Sequence, residues 1–189
     1  SYNVKASYSN EDDKALFMRN NSKSNGTNSA GLLGFEYGNS FSVVYDDMKT
    51  LSFFSELTVD VNRNLVIGAN GQFNSYTVKN QAEAWNLPTM NAQLFGNYKT
   101  IKWYAGATLF VVSERKDVTY SGTYPSTLNG IQTLKSFVDL NLNGGYHFND
   151  KFTAFIKMNN VMNSDYQQFS NFNVQGFQVL GGISYKFDF

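Results

Sequence analysis

Period-two alternation sustained over more than ten residues limits this chain to extended structure with two chemically different faces. From Leu134 to Phe148, Val138, Leu140, Leu142, Gly144, Tyr146 and Phe148 fall on one side, and Asp139, Asn141, Asn143, Gly145 and His147 on the other. From Gly176 to Phe189, Phe177, Val179, Gly181, Ile183, Tyr185, Phe187 and Phe189 oppose Gln178, Ser184, Lys186 and Asp188, with Leu180 and Gly182 breaking the polar side. Between them, Phe152, Ala154, Ile156 and Met158 oppose Thr153, Lys157 and Asn159, with Phe155 an exception. Helical periodicity is scarce, and strands of soluble sheets usually run to about five or six residues. Runs of this length predict strands that cross something thick.

Earlier segments repeat the pattern. Tyr2, Val4, Ala6 and Tyr8 oppose Asn3, Lys5, Ser7 and Ser9. Leu51, Phe53, Leu57, Val59 and Val61 oppose Glu56, Thr58, Asp60 and Asn62. Leu65, Ile67, Ala69, Gly71 and Phe73 oppose Gly68, Asn70, Gln72 and Asn74. Met90, Ala92, Leu94, Gly96 and Tyr98 oppose Asn91, Gln93 and Asn97, with Phe95 an exception, and Trp103, Ala105, Ala107, Leu109 and Val111 form the next apolar face. Links alternate between short (Asn10 to Asp13, Arg63-Asn64, Lys99-Thr100, Asn149-Asp150) and long (Asn21 to Ser29, Val78 to Leu87, Ser113 to Thr133, Ser164 to Gln175). A meander with tight turns on one rim and long loops on the other gives this pattern, and outer-membrane barrels place the short turns in the periplasm. The expected fold is therefore all-β: an antiparallel, up-and-down transmembrane barrel of the outer-membrane type.

Composition supports a wall that is greasy outside and wet inside. Among 189 residues there are 17 Phe and 12 Tyr, yet mean hydropathy is negative at -0.36. No run approaches the roughly 20 apolar residues of a membrane-spanning helix. Tyr98, Trp103, Tyr104, Tyr146, Phe148 and Phe152 crowd the short links, where a periplasmic aromatic girdle belongs. Ordinary core aromatics of a soluble sandwich are the alternative, disfavoured by strand length. The pattern predicts about eleven strands, with Phe41 to Met48 the weakest. If the last strand ends in the periplasm, the first then runs downward to the Asn10–Asp13 turn and Ser1 lies outside the cell. The expectation is a single domain, 1-189, that forms an incomplete barrel or the C-terminal part of a larger one. Ser1-Tyr2-Asn3-Val4 has no leader character.

The stretch Gly144 to Phe187 resembles the C-terminal end of TonB-dependent receptors, in particular those of the Bacteroidota. The resemblance is carried by Gly144-Gly-Tyr-His-Phe-Asn-Asp-Lys-Phe-Thr-Ala-Phe-Ile-Lys-Met, by Asn160-Val-Met-Asn163 followed by Tyr166, and by Gly182-Ile-Ser-Tyr-Lys-Phe187. It implies uptake of a nutrient across the outer membrane, with the C-terminus in the periplasm. It also implies that Gly182, Tyr185, Phe187 and Phe189 form the signal read by the barrel-assembly machinery. Implied partners are outer-membrane lipid, TonB through N-terminal parts outside these residues, and a surface lipoprotein or other barrel subunits. The residues depart from the pattern in two ways: they contain no plug or TonB-contacting segment, and they continue past Phe187 to Asp188-Phe189. A structural or accessory barrel subunit of a secretion or insertion assembly is the second functional class.

Little else suggests chemistry. Lys plus Arg and Asp plus Glu balance at 15 each and there is no cysteine, so nothing calls for nucleic acid, a thiolate metal site or a disulfide. His147 is the single histidine and has no nucleophile arranged beside it, so neither catalysis nor a cofactor is expected. Glu11-Asp12-Asp13 and Asp46-Asp47 lack calcium-loop spacing and are expected as solvated turn charge. Glu56, Asp60, Lys157 and Lys186 fall on polar strand faces and are candidates to line a lumen.

Overall fold

The structure, a computed structural model, describes residues 1–19, 41–121 and 127–187. Among the described residues twelve strands follow one another: β1 (Tyr2–Arg19), β2 (Phe41–Asp60), β3 (Leu65–Val78), β4 (Met90–Lys99), β5 (Trp103–Val112), β6 (Arg115–Ser121), β7 (Thr127–Leu134), β8 (Phe137–His147), β9 (Phe152–Asn159), β10 (Gln167–Phe169), β11 (Phe172–Asn173) and β12 (Gln178–Tyr185). Eight of them form one antiparallel sheet in the order β1-β2-β3-β4-β5-β8-β9-β12. The other four form two small pairs, β6-β7 and β10-β11, inside segments expected as plain loops. Among the described residues β1 and β12 do not pair, so the wall is open.

The expected count of eleven is corrected here. Phe41 to Met48 is not a separate weak strand: it is the upper part of β2, which runs unbroken for 20 residues. Asn10 to Asp13 is not a turn. β1 passes straight through it, and the pairing shifts by one residue between Glu11↔Met48 and Lys14↔Asp46. Asp13 takes a φ of 52° and its N–H donates to Asp47 Oδ1 at 3.3 Å. This is a β-bulge, with two residues opposite one. The sequence needs it, because the apolar positions change phase from Tyr2, Val4, Ala6, Tyr8 to Ala15, Phe17. Without the extra residue the upper half of β1 would turn its apolar side inward.

With eight strands in the wall, β1 and β12 run in opposite directions. Ser1 therefore lies at the short-turn rim, paired with Thr58 through Ser1 N–H to Thr58 O at 2.7 Å and Thr58 N–H to Ser1 O at 2.9 Å. The expectation that Ser1 sits at the opposite rim fails because the expected count is odd and the number of strands in the wall is even.

Pairing aligns the apolar face across the whole wall. One row reads Ile67, Gly96, Ala107, Leu142, Met158, Val179, and the next Leu65, Tyr98, Ala105, Gly144, Ile156, Gly181. Leu57, Phe73, Leu94 and Val179 on this face are 51, 51, 52 and 55 % exposed. An apolar surface of this extent requires an apolar medium. The opposite face carries Asn70, Gln72, Asn74, Asn91, Gln93, Asn97, Asn141 and Asn143, largely uncharged amides.

Three aromatic exceptions on that polar face have one cause. Phe95 pairs with Gly68, Tyr104 with Gly145 and Phe155 with Gly182, and each ring lies over its glycine. A Cβ would come within 2.6 Å of Phe155 at Gly182 and 2.5 Å of Tyr104 at Gly145, and at Gly68 it would overlap the Phe95 ring. The glycines that interrupt the alternation are thus the floors on which inward-facing rings rest. Gly68→Ala is expected to cost about 1–3 kcal/mol by overpacking. Part of that cost should vanish in a Phe95→Ala background, which a double-mutant cycle of urea unfolding measures. Full additivity would rule out the ring as its cause.

Candidate functional site at the long-loop rim

At the short-turn rim the links are minimal. Asn62 Oδ1 accepts from the N–H groups of Asn64 and Leu65 at 2.8 and 3.0 Å, and Asn149 Oδ1 accepts from those of Lys151 and Phe152 at 2.9 and 2.8 Å. At the other rim the long segments fold onto one another. Leu16, Met48, Trp85 and Val118 form a buried cluster, with Met18, Val44, Tyr76, Val78, Ala84 and Leu87 packed around it. The cluster draws on β1, β2, the 79–89 segment and β6. Polar contacts fix the same pieces: Asn86 donates its N–H to Lys116 O (2.8 Å) and its Nδ2 to Phe17 O (2.9 Å). Asp117 Oδ1 accepts from Arg19 N–H at 3.0 Å and from Val118 N–H at 2.8 Å.

Asp46 staples the 79–89 segment to the wall. It is buried, at 2 % exposed, and its carboxylate accepts from the backbone N–H groups of Lys79, Asn80 and Gln81 at 3.1, 2.9 and 2.8 Å. This corrects the expectation of a solvated charge. Two adjacent acids on a strand point to opposite faces: Asp47 stays outside with Lys79 Nζ at 2.7 Å, while Asp46 turns in. Lys79 to Gln81 lie beyond the end of β3, above the apolar band. Burial pushes the Asp46 carboxyl up, but the N–H groups of Gln81 and Asn80 outweigh it and hold the group at about 2. The folded value lies below the ordinary carboxylate value of 3.8, so the stabilisation is fully present above about pH 4 and is lost as pH falls towards 2. Pepsin digestion across that window is expected to begin cutting the 79–89 segment, and Asp46→Asn should remove the pH dependence. Unchanged protection down to pH 2 in the native protein would refute the staple.

The 160–177 segment carries the motif residues. Asn160 is 3 % exposed with φ 47°, and Asn163 has φ 48°. Asn160 Nδ2 donates to Ser164 O (2.9 Å) and Gln175 O (3.2 Å), and its Oδ1 accepts from Ser164 N–H (2.9 Å). Asn163 Oδ1 accepts from Phe177 N–H at 3.0 Å. Tyr166 stacks on Phe137 (3.8 Å between centroids, 8° between planes) and donates its hydroxyl to Asp139 Oδ2 at 2.7 Å. Burial first, then the Asp139 carboxylate, push the Tyr166 hydroxyl up to about 12, so it remains a donor at any physiological pH. Arg115 lies over the other member of that stack, 5.1 Å from the Phe137 centroid, and donates to Gln167 O and Gln168 O. A cleft of about 520 Å³ opens between β7, β8 and this segment, bordered by Gln132, Lys135, Phe137, Asp165, Tyr166 and Asn173. Aromatic faces next to amides, one lysine and one carboxylate can hold an amphipathic ligand, within the roughly 300–1,000 Å³ usual for such sites.

The remaining sequence-nominated residues lie elsewhere. Glu56 and Asp60 share the polar face of β2, and Lys157 and Lys186 share that of β9 and the end of β12. Four strands separate the acids from the lysines, and none of the four forms an ion pair among the described residues. Tyr98, Trp103, Tyr146, Phe148 and Phe152 lie near the short-turn rim. Tyr98 stacks on Trp103 at 4.8 Å, and Phe148 touches both Tyr146 and Phe152 at 5.0 and 5.1 Å. Tyr185 meets Phe187 edge-on at 4.9 Å, Gly182 sits under Phe155, and Phe189 lies outside the described residues. His147 pairs through Nδ1 with Thr153 Oγ1 at 2.7 Å. Sequence reasoning missed Trp85 and Arg115 and misread Asp46. A tryptophan in a polar link with no strand to occupy was the one available sign of a folded loop.

No family model and no curated protein matches the sequence. Solved structures do match the fold. The ferripyoverdine receptor of the outer membrane of Pseudomonas aeruginosa superposes with a TM-score of 0.67 at 15 % identity, over 97 % of this chain and 25 % of that one. This is the fold of an outer-membrane receptor barrel. The copper transporter OprC gives 0.67 at 14 % identity over 97 % and 28 % of the two chains. The siderophore receptor PiuA from Acinetobacter baumannii gives 0.62 at 13 % over 98 % and 26 %. The chain spans about a quarter of the length of the receptors it matches, which agrees with a wall that does not close on itself.

Proposed function

We propose that residues 1–189 are the C-terminal part of the barrel wall of a TonB-dependent, nutrient-importing receptor in the bacterial outer membrane. The short-turn rim and the C-terminal strand then face the periplasm, and the long-loop rim faces outward. The observation that carries this reading is the match of 97 % of the chain to receptor barrels, with short turns on one rim and interlocked long loops on the other. The amide-rich face becomes the lumen, lined also by Glu56, Asp60, Lys157 and Lys186. The short-turn aromatics become the periplasmic girdle, and Gly182, Tyr185 and Phe187 the assembly signal. The cleft at Phe137 and Tyr166 lies where an arriving nutrient first meets the protein. No step of this function requires bond making or a cofactor.

The test uses the intact protein. Its N-terminal region should bind the periplasmic domain of TonB, and deleting the TonB-contacting segment should abolish that binding and the uptake it drives. A full-length protein with no plug and no TonB binding, purified in a stoichiometric complex with other barrel or secretion subunits, would replace this reading with the accessory one.

A further inference from the structure

Small residues on the outward face leave a groove of about 480 Å³ in the wall. Gly96, Ala105, Ala107 and Gly144 form its floor, and Leu142 and Met158 flank it. Pairing places all six in the two adjacent outward rows described above, so the groove opens where the membrane would be and not into the lumen. Directly beneath it, Trp103 and Tyr146 are 43 and 42 % exposed, and Tyr98 stacks on Trp103. Such rings mark the level of lipid headgroups. Below them the two turns that flank the groove carry Lys102 and Lys151 against Asp150. Lys102 is exposed in the turn that enters Trp103.

The geometry points to a binding site for one anionic phospholipid of the periplasmic leaflet, with an acyl chain in the groove and the headgroup phosphate over the Lys102 turn. A hydrocarbon chain suits walls that offer almost no polar partner. An anion suits the charge at the groove's lower end. The groove is also continuous with the lipid-facing band, which makes lipid, and not a protein side chain, its occupant. This inference rests on the membrane reading above.

Native mass spectrometry of the intact protein in mild detergent tests it, with phosphatidylglycerol and phosphatidylethanolamine of equal chain length as probes. The native protein should retain one phosphatidylglycerol in preference to phosphatidylethanolamine. Ala105→Leu combined with Ala107→Leu fills the groove and displaces two or three methylenes of chain contact, which should weaken retention roughly tenfold or more. Lys102→Gln should reduce the preference for the anionic lipid roughly fivefold while leaving chain binding intact. Gly96→Ala adds one methyl group in ordinary contact with Ile67, at 3.8 Å, and gives a weaker version of the same loss if the double variant fails to assemble. Equal retention by native and filled proteins, equal retention of the two probes, or preferential retention of lipopolysaccharide would overturn the site. Partition of the intact protein into the aqueous phase on detergent extraction would instead overturn the membrane reading itself.

Discussion

Asn160→Ala is expected to destabilise the barrel by roughly 3–5 kcal/mol, a large effect for one surface-loop substitution. Two independent costs combine. The φ of 47° is tolerated by asparagine and glycine but strains alanine. The side chain also closes three hydrogen bonds, to Ser164 O, Gln175 O and Ser164 N–H, at a site 3 % exposed. Losing the amide leaves those backbone groups without their partner. Asn160→Gly separates the two terms: it should recover the strain, about 1–2 kcal/mol, and none of the hydrogen bonding. Urea unfolding in detergent measures both, and hydrogen exchange at Ser164 N–H reports the local release. Equal stability of the alanine and glycine variants would show that backbone strain is not part of the role of Asn160.

Leu94→Arg is the second large effect, expected at about 2–4 kcal/mol because the position lies in the middle of the outward apolar band. Its neighbour offers an internal control. Gln93 lies on the opposite face of the same strand, so Gln93→Arg places the same cation in the wet interior and should cost under about 1 kcal/mol. Folding into bilayers, followed by the loss of heat-modifiable mobility, measures both. If the two variants lose stability equally, the assignment of faces is wrong. If neither does, the outward band does not meet lipid.

The wall was largely legible in the sequence because its information is local. Alternation from Leu134 to Phe148 assigns a face to every residue of β8 without reference to any neighbour. What could not be read locally was misread in two instructive places. Asn10 to Asp13 is as polar as a turn, and only pairing with β2 shows that it is a bulge correcting a change of phase. Thr50 lies between two alternating runs that look separate, and only the ladder to β1 and β3 makes them one strand. The inward rings resisted for the same reason. Phe95 and Gly68 explain each other, yet they are distant in sequence and meet only across a pairing. The long-loop rim was least legible. Trp85, Asp46 and Arg115 owe their roles to contacts among four segments, and no single segment signals its partners.

The shared packing at that rim has a consequence for how the barrel could be re-engineered. Trp85 is held between β1 and β6, Asn86 bonds to both, and Arg115 of β6 carries the carbonyls of the 160–177 segment. The loops are therefore not interchangeable modules. Grafting one of them from another barrel would remove part of a neighbour's support, and the recipient would lose order in loops that were never altered. Under the proposed uptake role, a change of specificity is expected from substitutions within the cleft at Phe137 and Tyr166, or from transplanting the interlocked segments as a single block.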